Sequence, residues 1–377
     1  MELSKFIKDN KINNYEFLKL TLESEPFNLK FKEDIHYPHL FLIFIQDNSD
    51  LKLKLVNECN GIILNKESFE IVCYTFDKCS ETLEFPTDKF NLNELYIEKS
   101  IEGTLVRLFY DKITNGWILS TKKCIDASKS RWISSKTFDQ LFNDCINFEL
   151  IKNNLDVNIC YSFIITHPEN KMIVNYQQPI LFHISSRNLL SLQEINIDIG
   201  VNLIEKQYIQ KESLNEFLNN IKLDVNLSYE GYIFVDTNFN RWKIKTPFYK
   251  KIKNIWGNTN NRFFRYLELR KNNHLLNEYL FYFNYDRELF KNYELKMTNL
   301  TNKIVECYIT KHINKTNQKI PFYFIKIIYK LHGDYYKDKI KTDFNKVSLI
   351  LLNTDIKLIC FMINNLEKEE SIIDIEN

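Results

Sequence analysis

The chain has 377 residues, 44% of them hydrophobic and 14% aromatic, which is enough apolar material to fill the cores of two domains. Fifty Lys and Arg stand against 49 Asp and Glu, a formal net charge of +1, so attraction of nucleic acid by global charge is excluded and falls to local clusters. The eight cysteines form no CxxC pair, which excludes a zinc ribbon or a disulfide scaffold, and no run reaches the roughly 18 to 20 apolar residues of a membrane-spanning helix.

The start, MELSKFIKDNKINNYEFLKL, lacks the apolar core of a signal peptide, and the expected location is the cytoplasm. Apolar side chains at Phe6, Ile7, Phe17, Leu18 and Leu22 predict helix between residues 4 and 22. HLFLIFI, GIILN and IVCYTF, between residues 39 and 76, read as strands. LYIE, TLVRLFY and WILST follow, the last two joined by DKITNG, whose Asn-Gly pair supplies the positive φ of a tight hairpin. A helix is expected near 136–148. CYSFIITH and KMIVNY alternate on either side of PEN and predict another hairpin, extended by ILFHISSRN. Residues 203–222 read as helix, with LNEFLNNI its amphipathic part, before GYIFVDT and RWKIKT form a last hairpin. Beyond Tyr249 alternation gives way to helical spacing, as in RYLELRKNNHLLNEYLFYF, and Gly333 is expected to close one of these helices. The expected organisation is α+β: antiparallel sheets over residues 1–255, then an all-helical domain over 256–377.

Chemistry concentrates in two stretches, EKSIEGTLVRLFY (98–110) and EGYIFVDTNFNRWKIKTPFY (230–249). Lys243 and Lys245, two apart on a strand, share one face. Paired cations of this kind suit a polyphosphate, whose charge must be neutralised where it is cleaved.

Together these stretches resemble the active-site motifs of covalent nucleotidyltransferases, specifically ATP-dependent RNA ligases of the T-even phage RNA ligase 1 type. The resemblance implies an antiparallel-sheet, ATP-grasp-like ligase domain followed by a helical, RNA-binding domain. It implies ATP and Mg²⁺ as cofactors, RNA with tRNA-like ends as partner, a monomeric state and a viral coding origin. The implied reaction has three steps: a lysine amine takes AMP from ATP, the AMP passes to an RNA 5′-phosphate, and a 3′-hydroxyl displaces it. The catalytic roles fall on Lys99, Glu102, Glu230, Lys243 and Lys245, with Glu230 also the metal ligand. Nucleotide and phosphate contacts fall on Asn60, Lys78, Ser100, Gly103, Arg107, Lys122 and Phe163.

Three positions depart from the family pattern. Asn60 replaces an arginine, Ile164 replaces a ribose-binding glutamate, and Ser100 stands where the nucleophilic lysine belongs. Strand alternation puts Ser100 and Glu102 on one face and Lys99 on the other. A β-bulge at Ser100 or Ile101 would return Lys99 to the site as a displaced nucleophile. With a regular strand there, the expectation is instead a catalytically inactive descendant that binds nucleotide or RNA ends.

Overall fold

The computed structural model describes residues 1–81, 85–86, 90–170, 172–317 and 319–376. Two compact units divide it, Met1–Lys251 and Ile252–Asn377.

Alternating apolar side chains build three sheets in the first unit. β1 (Lys30–Glu33), β2 (Leu40–Phe44), β3 (Ile62–Asn65) and β4 (Ile71–Cys73) pair in that order. Helices α1 (Glu2–Asp9) and α2 (Tyr15–Glu23) cover one face, where Leu3, Leu18 and Leu22 pack on Phe31, Phe41 and Ile43. Burying each such side chain contributes ~1.5–3 kcal/mol. Asn14 starts α2 by accepting from the amides of Glu16 and Phe17. The short α3 (Lys54–Glu58) ends in Glu58, whose buried carboxylate accepts from the amides of Glu2 (2.9 Å) and Leu3 (3.0 Å). That carboxylate satisfies orphan donors at the start of α1.

The second and third sheets are built from β5 to β14, whose ranges follow in chain order. They are β5 (Leu95–Ser100), β6 (Thr104–Asp111), β7 (Gly116–Thr121), β8 (Ile159–Thr166), β9 (Ile180–Asn188), β10 (Glu194–Ile195), β11 (Asn202–Leu203), β12 (Lys206–Ile209), β13 (Gly231–Val235) and β14 (Arg241–Lys245). The order β10-β9-β8-β6-β7 makes the second sheet, with β11 parallel to β9, and β12-β5-β13-β14 makes the third. One face of the second sheet meets the first through Phe109, Ile118 and Cys160 against Leu42, Ile63 and Cys73. Its other face buries Val106, Leu108, Tyr161 and Phe163 under α4 (Phe138–Cys145), which opens with a Thr137–Gln140 capping box. α5 (Phe148–Lys152) follows. On the third sheet, Ile97, Phe234 and Trp242 pack against α6 (Leu214–Leu223). Alternation leaves Glu98, Ser100, Lys243 and Lys245 on the opposite face.

α7 (Pro247–Trp256) carries the chain across the division. The second unit is helical: α8 (Arg262–Leu269), α9 (Asn273–Tyr282), α10 (Arg287–Tyr308), α11 (Ile325–Asp338), α12 (Phe344–Leu352) and α13 (Ile356–Glu376). Tyr266 and Tyr279 meet the Phe290 ring of α10 at 5.3 and 5.1 Å. The α+β architecture of antiparallel sheets followed by helices is the one expected. Among the described residues no helix is long and apolar enough to cross a membrane, and all eight cysteines are free.

Three local expectations fail, each for a visible reason. KMIVNY is no strand: residues 172–174 run irregularly because their amides turn to a carboxylate, as described below, and Lys171 lies outside the described residues. Residues 202–209 form β11 and β12, so the helix begins only at Leu214. Gly333 does not end its helix, since α11 runs on to Asp338 and reverses at Lys339, which holds φ +58.

Candidate active site

Three strand ends meet at one corner of the third sheet. Ser100 closes β5, Gly231 opens β13 and Lys245 closes β14, and the three stand in register. Glu230 is fixed at that corner by its own backbone, its amide donating to the Ser100 carbonyl at 2.8 Å and its carbonyl accepting from Thr246 at 3.1 Å. Gly231 permits the close approach. A Cβ there would come within 2.1 Å of the Ile244 carbonyl oxygen.

The Glu230 carboxylate accepts from the Lys243 ammonium, from the Tyr249 hydroxyl at 3.2 Å and from the Ser100 hydroxyl at 3.4 Å. Burial opposes its ionisation, but the charge and hydrogen bond of Lys243, with Lys245 beyond, outweigh burial and hold the carboxyl below its ordinary range. Tyr249 bridges to a second acid, donating to Glu102 at 2.8 Å. Glu102 is buried, and its carboxylate also accepts from the amides of Met172 (3.0 Å) and Ile173 (2.9 Å), while the Tyr176 hydroxyl donates to its carbonyl at 2.6 Å. Burial raises its carboxyl despite those donors. Glu102 therefore fastens the segment after β8; its lone pairs are spent on the backbone. Gly103, beside it, lies against Ile165 of β8.

A second group of cations adjoins Lys243. Lys122 lies just past β7 in a two-residue turn closed by reciprocal Thr121–Cys124 backbone hydrogen bonds of 2.8 and 3.3 Å. Its backbone packs on Gly61, where φ is +91 and a Cβ would come within 2.9 Å of the Lys122 Cα. Its ammonium sits 5.7 Å over the Phe76 ring. Burial is the main force lowering its basicity to about 8; Cys79 opposes the shift, while the charges of Lys78, Arg107 and Lys243 add to it. Arg107 is wholly buried and donates to the Thr121 carbonyl at 2.5 Å, and among the described residues its Nε and Nη1 have no partner. Lys78 pairs with Glu81 at 3.8 Å. It lines an open cleft of about 810 Å³ with Lys52, Lys54, Phe76, Phe239 and Arg241.

Of the residues expected at the site, the structure gathers Ser100, Glu102, Arg107, Lys78, Lys122, Glu230, Lys243 and Lys245 into these two adjoining groups. Lys99 is not among them. β5 pairs with β13 residue for residue from Tyr96 to Ser100 with no bulge, so Lys99 faces away from Ser100, exposed, its ammonium 5.3 Å over the Tyr229 ring. Phe163 is not at a nucleotide surface either: it shares a strand face with Tyr161 and Ile165 and is fully buried in the core under α4. Asn60 is buried, and its amide donates to the Phe76 carbonyl at 3.4 Å. Two neighbours were missed. Tyr249 gave no signal beyond its place just after Lys245, but Glu98 was findable by alternation, two residues before Ser100 on the same face. Burial pushes the Glu98 carboxyl up to about 7 against the charges of Arg241 and Lys206.

Among the described residues no three His, Cys, Asp or Glu side chains are arranged to hold a metal ion. The donor set suits a polyanion better: basic side chains at the ends of β14 and β7, with the Arg107 guanidinium behind them.

No family model matches the chain. It is 25% identical over 325 residues to an immediate-early protein ICP-46 homolog of Invertebrate iridescent virus 6, covering 74% of this chain and 68% of that protein. It is 26% identical over 166 residues to an RNA ligase of Rhodothermus phage RM378, covering 35% of this chain and 37% of the ligase, so it matches little more than a third of that relative's length. Among solved structures, an archaeal ATP-dependent RNA ligase superposes with a TM-score of 0.45 at 11% identity, over 74% of this chain and 71% of the other. The chain is thus similar over most of its length to a viral immediate-early protein and, over about a third, to a phage RNA ligase.

Proposed function

We propose that the chain is an ATP-dependent RNA ligase that works through a lysyl-AMP intermediate. The observation that supports this most is the gathering of Lys243 and Lys245 beside Glu230 with Lys122, Lys78 and Arg107 adjoining, cations that together would neutralise a triphosphate where its α–β bond breaks. Lys243 and Lys245 take the phosphates nearest Glu230; Arg107 stiffens the floor beneath Lys122. A divalent metal, Mg²⁺ in this reading, would find its protein carboxylate in Glu230 and would help neutralise the triphosphate, since Glu102 is committed to backbone amides. The cleft beside Lys78 takes the RNA end: its lysines suit phosphates, and Phe76 and Phe239 offer rings on which bases stack.

A second reading rests on Ser100. With no lysine at that strand position and Lys99 on the far face, the site would bind nucleotide or RNA ends without adenylating itself. One experiment separates the two. Joining of a chemically pre-adenylated RNA to a 3′-hydroxyl end needs the metal and phosphate site but no protein nucleophile. Joining that is lost in Lys243→Ala supports the ligase; tight RNA binding with no joining supports the binding module.

A further inference from the structure

The regular β5 leaves the ligase reading without a nucleophile. We propose that Lys122, at the end of β7, is the amine that takes AMP from ATP, in place of the serine-substituted position on β5. This rests on the ligase reading above and deepens it.

Four alternatives are disfavoured by their surroundings. Lys99 points to the opposite face of the sheet. Lys243 is engaged by Glu230 in a close ion pair, so its ammonium is aimed at a carboxylate. Ser100 has a hydroxyl aimed at Glu230, 3.4 Å away, but a carboxylate held below its ordinary range by Lys243 is a poor base for a serine. Lys78 is more than a third exposed and faces Glu81.

Lys122 differs on every count. Among the described residues no carboxylate pairs with it, and its ammonium faces a Phe76 ring instead of an acceptor. Its Cα is fixed twice, by the tight Thr121–Cys124 turn and by the close packing of Gly61, so the amine starts from a rigid base. The groups facing it are Cys79, Lys78, Arg107 and Lys243, three of them cationic. Those cations attract the triphosphate and also favour the neutral amine; burial does the rest and brings its basicity to about 8, so that an appreciable fraction is unprotonated near neutral pH. An ordinary lysine, near 10.4, offers fewer than about one amine in a thousand at pH 7.

The step balances simply. The neutral Lys122 Nζ lone pair forms a bond to the α-phosphorus of ATP, the bond from that phosphorus to the α–β bridging oxygen breaks, and pyrophosphate departs with the electron pair. The amine loses one proton to solvent, leaving a phosphoramidate. Transfer of that AMP to an RNA 5′-phosphate returns the amine.

The test uses the full chain with α-labelled ATP and Mg²⁺, followed by peptide mapping of the adduct. The label is expected on the peptide holding Lys122, is expected to be lost in Lys122→Arg with unchanged thermal melting, and is expected to persist in Lys99→Ala. A second readout needs no nucleotide: the rate at which acetic anhydride labels Lys122 should rise with a midpoint near pH 8. An adduct on another residue or a Lys122 that titrates like an ordinary lysine overturns the proposal and leaves the ligase reading standing; joining of pre-adenylated RNA without any adduct overturns the proposal and removes the lysyl-AMP step from that reading. Absence of both adduct and joining overturns the ligase reading itself.

Discussion

Ser100 and Glu230 are joined twice, the amide of Glu230 donating to the Ser100 carbonyl at 2.8 Å and the Ser100 hydroxyl donating to the Glu230 carboxylate at 3.4 Å. The pairing sets the acid at the mouth of the β13–β14 hairpin, within reach of Lys243. It shows how this corner keeps its shape with a serine at the end of β5.

The Glu230–Lys243 pair is mostly buried, so removing one partner leaves a charge uncompensated. Lys243→Ala is expected to cost about 2–4 kcal/mol in urea unfolding. Because the folded Glu230 carboxyl lies below its ordinary value of 4.5, its contribution is complete above that pH and disappears as pH falls through the folded value. Glu230→Gln should lack this acid limb; a variant melting with the same acid dependence as the parent counts against the assignment.

Glu98 has the opposite sign. Its folded carboxyl is raised to about 7, so the folded chain holds its proton more tightly than the unfolded chain, and stability falls as pH rises from about 4.5 to 7. Glu98→Gln should flatten that region and gain up to about 3 kcal/mol at pH 8. Paired denaturation curves at pH 5 and 8 read the difference directly.

Glu102→Ala withdraws the acceptor of the Met172 and Ile173 amides. The expected loss is about 1–3 kcal/mol, the cost of buried donors left unpaired. Hydrogen exchange should accelerate at residues 172–174 well before it does in β13. Uniform acceleration would show that Glu102 fastens nothing in particular.

Gly61→Ala forces a side chain into a left-handed backbone at φ +91 and against the Lys122 Cα. A destabilisation of about 1–3 kcal/mol is expected, together with a changed pH midpoint for labelling of Lys122. An unchanged midpoint would mean that the lysine's surroundings do not depend on this contact.

Sheet formation was legible because alternation is a local property: β2, β3, β6, β8 and β13 each announce themselves within a few residues. The spacing of Lys243 and Lys245 fixed their shared face just as directly. What escaped involved partners far away in the chain. The alternation of KMIVNY is a sound strand signal, yet its amides answer a carboxylate some seventy positions earlier. Phe163 was placed by motif when strand parity with Tyr161 already sent it to the core. Lys122 was marked by motif as a phosphate contact but not as an unusual amine, because its altered basicity comes from burial and from side chains distant in the chain.

The anchoring of Met172 and Ile173 by Glu102 bears on how chains like this are recognised. An acidic residue next to glycine is taken as a signature of chemistry, but here the acid works as a latch, needed to shut the fold whether or not the pocket turns over. A search keyed to such a signature would gather chains by this latch and not by their chemistry.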